Sequence, residues 1–385
     1  MSKIEDLIKE LCADGVVYTD LGCIASVETG SQLNKTSMTD VGEYPVLNGG
    51  INPSGFYHLY NTDDQSIAIS QGGASAGYVN FMEVKFWAGA HCFVVKPTSA
   101  TIINKYLYYI LKNDQKLFMN AKLGAGIPGL NKKELTGYQV PLPPLPIQQE
   151  IVSILDNFTK LEAELEAELE ARKKQYEYYR NQLLSPIEKD GKWYMNGKEV
   201  GWKTLGEVCV SLRKGTLKRG QLVEDGAYPV INSGREWYGF YESYNNEADA
   251  LIIAARGEYA GFVSYISTKF WAGGLCYPYR SIKDDVIQTK FIYYYLKNNE
   301  QSIMDVLVSR GSIPAINKSD VDRIQIPIPP LSEQERIVSI LDRFDALVND
   351  ISIGLPAEIE ARRKQYEYYR GKLLSFKNIA DRAEA

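Results

Sequence analysis

The sequence of this chain is an internal duplication, and this feature constrains the fold more than any other. Six segments of the first half return in the second half in the same order, at a spacing that drifts from 184 to 190 residues. Because this period is far longer than the roughly 20–50 residues of solenoid repeats, each copy is a domain rather than one unit of an array. The paired segments are YPVLNGG with YPVINSG, KFWAGAHC with KFWAGGLC, NKYLYYILKN with TKFIYYYLKN, IPGLNK with IPAINK, PLPPLPIQQEIVSILDNF with PIPPLSEQERIVSILDRF, and ARKKQYEYYRNQLLS with ARRKQYEYYRGKLLS.

The first part of each copy predicts a mixed α and β globule with a substantial core. IAISQGGASAGYVNF and LIIAARGEYAGFVSY each predict a strand, a glycine turn and a second strand. KYLYYILKN and KFIYYYLKN predict short helices. Asn131, with Glu134 three residues later, and Asn317, with Asp320, predict helix N-caps, because an amide oxygen can accept from the first turn of a helix.

The second part of each copy predicts a long helix that begins at a proline-rich hinge. From Ile147 onward, apolar residues step by four and three positions through Leu161 and Leu165, which is the spacing of a coiled-coil seam. Ser332 followed by Glu335 predicts a capping box, and the Gly-Leu-Pro segment at 354–356 predicts a break in the second helix. The residues predicted for helix pairing and partner docking are Ile151, Ile154, Phe158, Tyr176, Tyr179, Leu183, Ile337, Ile340, Phe344, Tyr366, Tyr369 and Leu373.

These patterns predict an α+β fold with two mixed α/β globular domains separated by two long antiparallel coiled-coil helices, related by pseudo-two-fold symmetry. The predicted boundaries are 1–146 for the first globular domain, 147–185 for the first helix, 186–332 for the second domain, 333–376 for the second helix and 377–385 for a C-terminal tail.

Composition and motifs argue against an enzyme, a metalloprotein and a membrane protein. The five cysteines form no C-x-x-C pair, and His58 and His91 have no histidine counterparts in the second copy, so neither a metal site nor a duplicated catalytic histidine is predicted. GAGIPG at 124–129 matches a dinucleotide-binding pattern, but Pro128 removes a backbone donor, so a structural turn is predicted instead. The chain has no signal-peptide pattern and no apolar run near the roughly 18 residues of a membrane span. Sparse, unpaired cysteines favour the cytoplasm.

Two features suggest a polyanion as partner, although the net charge is −5. SLRKGTLKRGQ carries Arg213, Lys214, Lys218 and Arg219 without an acid, and polar side chains recur near the glycine-rich turns of both copies. Arginine, asparagine and glutamine can read base edges, whereas lysine commonly contacts phosphate. Solvated loops remain the alternative for any single residue. The further candidates are Gln32, Asn34, Lys35, Asn48, Gln71 and Ser75 in the first copy, and Asn232, Arg235 and Arg256 in the second copy.

Two similar globules on paired helices predict a bipartite DNA target with an unread spacer, since dimeric DNA readers use two-fold symmetry to contact two half-sites. Because the polar loops of the two copies have diverged, the two half-sites are expected to differ.

The helix ends of the two copies, in contrast, are nearly identical. The repeated QYEYYR segment is therefore interpreted as a pairing and docking surface that the chain presents twice. Lys174, Arg180, Lys364 and Arg370 are expected on its outer face.

The sequence resembles the specificity subunits of type I restriction-modification systems over essentially its whole length. The marks of the resemblance are the paired globules, the helix entries VPLPPLPIQQEI and IPIPPLSEQERI, and the near-identical helix ends. The resemblance implies two target-recognition domains that each read half of a split double-stranded DNA site, and helices that dock two modification subunits. Restriction subunits join through the same core.

The resemblance further implies that this chain is not an enzyme and holds no cofactor, because S-adenosylmethionine serves adenine methylation on the modification subunits. It does not transfer individual base-reading residues. The alternative reading is a structural adaptor whose two globules bind protein or carbohydrate.

Overall fold

The chain divides into two compact units, which we describe separately. The computed structural model describes residues 2–120, 129–350 and 352–382. The first unit comprises residues 1–165 and 359–385, and the second comprises residues 166–358. These boundaries cut through the long helices, so that each unit contains one globule and helical segments from both copies. The predicted turn at GAGIPG falls almost entirely outside the described residues.

The first globule contains strands and short helices that precede a long helix. Its strands are β1 (Val17–Asp20), β2 (Ala25–Thr29), β3 (Tyr44–Leu47), β4 (Gly55–Tyr57), β5 (Ser66–Ser70), β6 (Val79–Met82), β7 (Trp87–Ala88), β8 (Cys92–Pro97) and β9 (Gln139–Leu142). Its helices are α1 (Ser2–Leu11), α2 (Leu21–Ile24), α3 (Asn104–Asn113), α4 (Gln115–Asn120) and α5 (Lys132–Thr136). Helix α6 (Leu145–Leu184) follows and runs for 40 residues.

The second globule repeats this order after an added hairpin. Its strands are β10 (Ile187–Lys189), β11 (Lys192–Met195), β12 (Lys198–Thr204), β13 (Cys209–Ser211), β14 (Tyr228–Ile231), β15 (Gly239–Tyr241), β16 (Ala250–Ala254), β17 (Val263–Ile266), β18 (Trp271–Ala272), β19 (Cys276–Ser281) and β20 (Gln325–Ile328). Its helices are α7 (Leu205–Val208), α8 (Thr289–Asn298), α9 (Glu300–Leu307) and α10 (Lys318–Asp322), followed by α11 (Leu331–Asn349) and α12 (Leu355–Leu373).

Each globule is built on a four-stranded antiparallel sheet beside a three-stranded mixed sheet. The strand orders are β2-β8-β5-β6 and β4-β3-β7 in the first unit, and β13-β19-β16-β17 and β15-β14-β18 in the second. The predicted strand, glycine turn and strand are confirmed in both copies, where Ile67 pairs with Phe81 and Leu251 pairs with Tyr265. Gly77 allows the first turn to close, since it has a φ of +88° and a Cβ there would lie 2.5 Å from a backbone atom of Phe118.

The cores of the two units are equivalent in composition and position. Helices α3 and α8, which the sequence predicted, pack onto strands β5 and β6 and onto β16 and β17, respectively. Tyr106 and Tyr109 of α3 are almost completely buried, as are Phe291 and Tyr294 of α8. The same apolar pattern therefore buries the same helix face twice. The prediction of two mixed α/β domains with a long helix is confirmed.

A buried glutamine fixes the entry to each long helix. The Gln148 amide is fully buried, accepts a hydrogen bond from the Ile103 backbone N–H at 2.9 Å and donates to the Thr101 and Pro143 carbonyls at 2.9 and 2.8 Å. Gln334 makes the same three contacts with Gln288 N–H, Val286 O and Pro329 O. A buried amide with all these bonds made rigidifies its site, whereas an unpaired one would be costly.

The structure confirms the N-cap positions of Asn131 and Asn317 but not the capping box at Ser332. Asn131 caps α5 by accepting a hydrogen bond from Lys133 N–H at 2.9 Å, as predicted. Asn317 occupies the N-cap of α10, but its side chain donates to Asp320 instead of accepting from the helix. The capping box at Ser332 is wrong, because α11 already begins at Leu331 after Pro330.

The predicted break in the second helix is confirmed between α11 and α12. Gly354 lies in this break, where a Cβ would come within 2.4 Å of the Ala346 carbonyl oxygen, so a side chain would force the turn open. The predicted seam holds only in part. Leu161 is 48% exposed, whereas Leu155, which lies outside the predicted seam, is completely buried.

Helix pairing in the first unit joins the start of α6 to the end of α12. The ring of Phe158 lies against Tyr366 and Tyr369, with centroids 6.1 and 5.8 Å apart. One turn further along α6, Glu162 pairs with Arg363 at 2.6 Å. Because the partner number falls as the α6 number rises, the two segments run antiparallel.

Helix pairing in the second unit repeats this contact with the roles exchanged. Phe344 of α11 lies against Tyr176 and Tyr179 of α6, with centroids 6.1 and 5.8 Å apart. Phe344 is the counterpart of Phe158, and the two tyrosines are the counterparts of Tyr366 and Tyr369. The helix end of each copy therefore completes the core of the other copy's unit.

Candidate nucleic-acid interface and docking surface

Three loops of the first unit converge around the segment 88–91, which lies between β7 and β8. The backbone N–H of Ser31 donates to the Ala88 carbonyl at 2.8 Å, and Gln71 N–H donates to the His91 carbonyl at 2.8 Å. His91 N–H in turn donates to the side-chain oxygen of Asn48 at 3.2 Å. The candidates Asn48 and Gln71 are thus both held against the segment 88–91.

The second unit builds the same frame around its segment 272–275. Gly215 N–H donates to the Ala272 carbonyl at 2.8 Å, and Ala255 N–H donates to the Leu275 carbonyl at 2.9 Å. Leu275 N–H donates to the side-chain oxygen of Asn232 at 2.9 Å. The loops that carry the second-copy candidates therefore converge in the same way.

Asn48 and Asn232 have a structural role in this frame. The side-chain oxygen of each is an acceptor for the loop after KFWAG. The glycine of that motif is required beside them, because a Cβ at Gly89 would lie 2.5 Å from the Asn48 oxygen and one at Gly273 would lie 2.8 Å from the Asn232 oxygen. Loop bracing explains why these asparagines recur, and it occupies the oxygen that base reading would use.

A second pair of asparagines supports the frame and was missed by sequence reasoning. Asn61 accepts a hydrogen bond from Ala88 N–H at 2.7 Å and donates to the Ala88 carbonyl at 2.9 Å. Asn245 makes the same two contacts with Ala272, at 2.8 and 3.1 Å. The sequence does carry a signal for them. Asn61 and Asn245 are the same residue at equivalent positions of the two copies, although the three residues that follow differ (NTDD and NNEA).

The remaining first-copy candidates lie on the loops without a side-chain role in the frame. Gln32, Asn34 and Lys35 are exposed after β2, where Asn34 precedes a short 3-10 turn at Lys35–Ser37. Ser75 is half-buried in the turn between β5 and β6, and its carbonyl accepts from Tyr78 N–H at 2.9 Å. These residues flank the frame rather than build it.

The second-copy candidates are more strongly charged. Arg256 is exposed on the loop after β16, where its backbone forms a bridge with Ala315. The guanidinium of Arg235 lies 5.0 Å from the ring centroid of Tyr259 and 5.8 Å from that of Phe262. Arg213, Lys214, Lys218 and Arg219 are exposed on the loop after β13.

The thiols near the frame are not nucleophiles at neutral pH. Burial raises the pKa of Cys92 and of Cys276 to about 12, so both remain protonated. His58 and His91 are exposed. Within residues 2–120, 129–350 and 352–382, no cluster of three or more histidine, cysteine or acidic residues could hold a metal ion. No helix in that part of the chain has the length and apolarity to cross a membrane.

The repeated QYEYYR segments place their arginines differently from expectation. Arg180 donates to the side-chain oxygen of Asn298 at 3.1 Å, and Arg370 donates to that of Asn113 at 3.3 Å. Both side chains are half-buried. The prediction that these arginines lie on the outer face is wrong, because each reaches back to the end of α8 or α3. Lys174 and Lys364 are exposed, as expected.

An exposed stripe remains on each helix end after the packing residues are accounted for. Ala171, Lys174 and Tyr178 are exposed at positions i, i+3 and i+7 of α6, and their counterparts Ala361, Lys364 and Tyr368 are exposed on α12. We call each set an outer stripe. Its tyrosine ring is 62% exposed in α6 and 64% exposed in α12. The spacing is that of a helix face that can pack against another helix.

Comparison with known proteins identifies the family. Residues 14–171 and 198–361 match the type I restriction modification DNA specificity domain.

The chain belongs to this family.

It is 30% identical over 367 residues to a putative type I restriction enzyme specificity subunit from Haemophilus influenzae, a match that covers 89% of this chain and 90% of that protein. It is 39% identical over 251 residues to the specificity subunit of the EcoR124I/EcoR124II restriction enzymes of Escherichia coli, a match that covers 60% of each chain.

Solved structures show the same fold for such a specificity subunit. The crystal structure of the S subunit of a type I restriction-modification system from M. genitalium superposes with a TM-score of 0.68 at 21% identity, covering 94% of this chain and 96% of that one. A structure described as the basis of complex assembly and conformational transition of the type I system has a TM-score of 0.60 at 14% identity, covering 94% and 97%.

Proposed function

We propose that this specificity subunit reads a bipartite, asymmetric double-stranded DNA site, with one half-site for each unit. The observation that carries the proposal is the combination of one loop frame with two different sets of loop side chains. When the two copies are aligned, Thr29 corresponds to Arg213, Asn34 to Lys218 and Ile51 to Arg235. A common frame with changed polar groups is what two different half-sites require, since sequence is read by hydrogen bonds to base edges.

The proposed partners are two modification subunits, one for each outer stripe. Two copies of one partner need two equal surfaces, and the outer stripes are identical in sequence and exposure. Exposed tyrosine contributes little to folding but is enriched at protein interfaces, where its ring fills a pocket and its hydroxyl finds a polar partner. We further propose that the restriction subunits join this assembly and that it works in the cytoplasm.

In this assembly the present chain is not the catalyst. Adenine methylation would take place on the modification subunits, which would hold the S-adenosylmethionine. This chain would hold the two half-sites in register with them.

A structural adaptor that binds protein or carbohydrate is the second candidate. The exposed basic residues after β13 favour DNA, because such a run fits a phosphate backbone better than a neutral glycan. Binding of the assembled complex to duplex DNA should therefore weaken steeply as salt rises. An adaptor for neutral ligands would show no such dependence.

The decisive experiment maps adenine methylation in a plasmid from a host that carries this chain together with its modification subunit. We expect one methylated motif made of two different short sequences around a fixed spacer. Absence of methylation without this chain is the control. If the complex forms but no split motif is methylated, the proposed function is wrong.

A further inference from the structure

The loop after β13 differs in charge from its counterpart after β2, although both loops make an equivalent contact with the frame. Both loops pack on the frame in the same way, since Ser31 N–H bonds to Ala88 O and Gly215 N–H bonds to Ala272 O, each at 2.8 Å. Both then form a short 3-10 turn, at Lys35–Ser37 and at Arg219–Gln221. Segment 213–219 carries four basic residues, whereas the equivalent segment 29–35 carries one, and neither contains an acid.

The first basic residue of segment 213–219 is held by a clamp that only the second unit has. The side chain of Asn246, which is 7% exposed, accepts a hydrogen bond from Arg213 N–H at 3.1 Å and donates to the Arg213 carbonyl at 2.9 Å. The counterpart of Asn246 in the first unit is Thr62, whose hydroxyl bonds to Asn61 instead. The clamp holds the backbone of Arg213 and leaves its guanidinium outside.

Two further contacts fix the rest of the segment. Gly215 lies so close to the indole of Trp271 that a Cβ would come within 2.6 Å of the ring. Lys218 N–H donates to the side-chain oxygen of Gln221 at 2.9 Å. A segment held at three points presents its charges at a fixed place, and therefore loses less entropy on binding than a free loop would.

The charges on this segment face solvent. Arg213, Lys218 and Arg219 are exposed, and no salt bridge is found for them among the described residues. Lys214 is the exception, since its ammonium group donates to the Gly274 carbonyl at 3.2 Å and lies over the ring of Tyr277. Three unpaired cations on a braced backbone fit a row of phosphates, because phosphate contacts position a protein without reading sequence.

We propose that the two units hold DNA unequally, because segment 213–219 makes phosphate contacts that segment 29–35 of the first unit lacks. This inference rests on the proposed function, because it assumes a DNA duplex as the ligand.

The test compares the salt dependence of duplex binding for the assembled complex of this chain and its modification subunits. The probe is a duplex oligonucleotide that carries the mapped methylation motif. The test variant is Arg213→Thr with Lys218→Asn, which introduces the first-copy residues. It should fold, because Asn246 and Gln221 bond to the backbone of these residues and not to their side chains.

The expected result is that the negative slope of log K against log salt becomes shallower by about 1.8, since each lost phosphate contact removes about 0.9 from its magnitude. The control is Lys189→Ser with Lys192→Ser, which removes two exposed charges from the β10–β11 hairpin, one of them paired with Glu199, and should leave the slope unchanged. The converse variant, Thr29→Arg with Asn34→Lys, should make the slope steeper. An unchanged slope in the test variant, or an equal change in the control, overturns the inference.

Failure of the inference and failure of the proposed function give different results. If the unaltered complex binds its motif with a steep salt dependence that the test variant retains, only the unequal division of contacts is wrong. If the unaltered complex shows no salt-dependent binding to the duplex, the proposed function itself fails.

Discussion

The ring of Phe158 stacks on that of Tyr369, with 5.8 Å between their centroids and 28° between their planes. Phe344 and Tyr179 make the equivalent contact at the same distance. Each contact lies within one compact unit but joins residues from opposite copies of the duplication. Each copy therefore donates its last helical segment to the core of the other copy.

This exchange predicts that the two units can be loosened separately. Phe158→Ala should destabilise the first unit and Phe344→Ala the second, each by about 2–4 kcal/mol, because a large ring is lost from a partly buried site. Hydrogen exchange should then quicken in α3 for the first variant and in α8 for the second. Equal effects of either variant on both helices would show that the packing is not organised in this way.

The outer stripes predict a second effect that leaves stability unchanged. Tyr178→Ala with Tyr368→Ala should weaken binding of the modification subunit by about 30-fold or more per site, which is the loss expected when an interface anchor worth about 2 kcal/mol is truncated. Either single variant should leave one tight site. Sedimentation of the mixed subunits measures the stoichiometry, and the conservative Tyr→Phe pair serves as control. Two copies bound to the double alanine variant with unaltered affinity would exclude the stripes as docking sites.

Lys112 predicts how the stability of the first unit depends on pH. Burial, and then the neighbouring Arg370, lowers the pKa of Lys112 to about 8, whereas an unfolded lysine has a pKa of about 10.4. Between these values the unfolded chain binds more protons than the folded one, so stability rises with pH from about 8 to about 10.4. Lys112→Met should flatten this rise in thermal unfolding, whereas Lys116→Met, at an exposed position, should not. A rise that persists in Lys112→Met would assign it to another group.

The repeated LEAE units of α6 predict the spacer of the DNA site. Deletion of residues 165–168 removes about 6 Å of helix, at 1.5 Å per residue. This length corresponds to one or two base pairs, so the methylated motif should keep both half-sites and lose one or two positions between them. Methylation mapping of the deletion variant measures this directly. An unchanged spacer would show that α6 does not set the distance.

The architecture was predictable from sequence because its signals are periodic and repeated. The copied segments showed the duplication, and Tyr176, Tyr179, Tyr366 and Tyr369 continued an apolar seam that the structure buries at least in part against phenylalanines. The spacing of apolar residues along a helix shows which face is buried, even when the segment that packs against that face is unknown.

The errors concern polar side chains whose partners are distant in sequence. The role of Gln148 was invisible, because its partners are backbone atoms up to 47 residues away. Arg180 was misplaced for the same reason, since a charged residue on a helix says nothing about an asparagine 118 residues away. The choice of Asn48 and Asn232 as candidate base readers stays a prediction, to which the structure adds a bracing role for their oxygens that only the fold reveals.

The central claim is that each unit's loop frame reads its own half-site, and one chimera tests it most directly. Residues 205–326 are replaced by residues 21–140, so that both units carry the first-copy globule while the helices are kept. Methylation mapping of this chain with its modification subunit should give an interrupted palindrome, with the first half-site in both arms. A motif that keeps the original second half-site would contradict the claim.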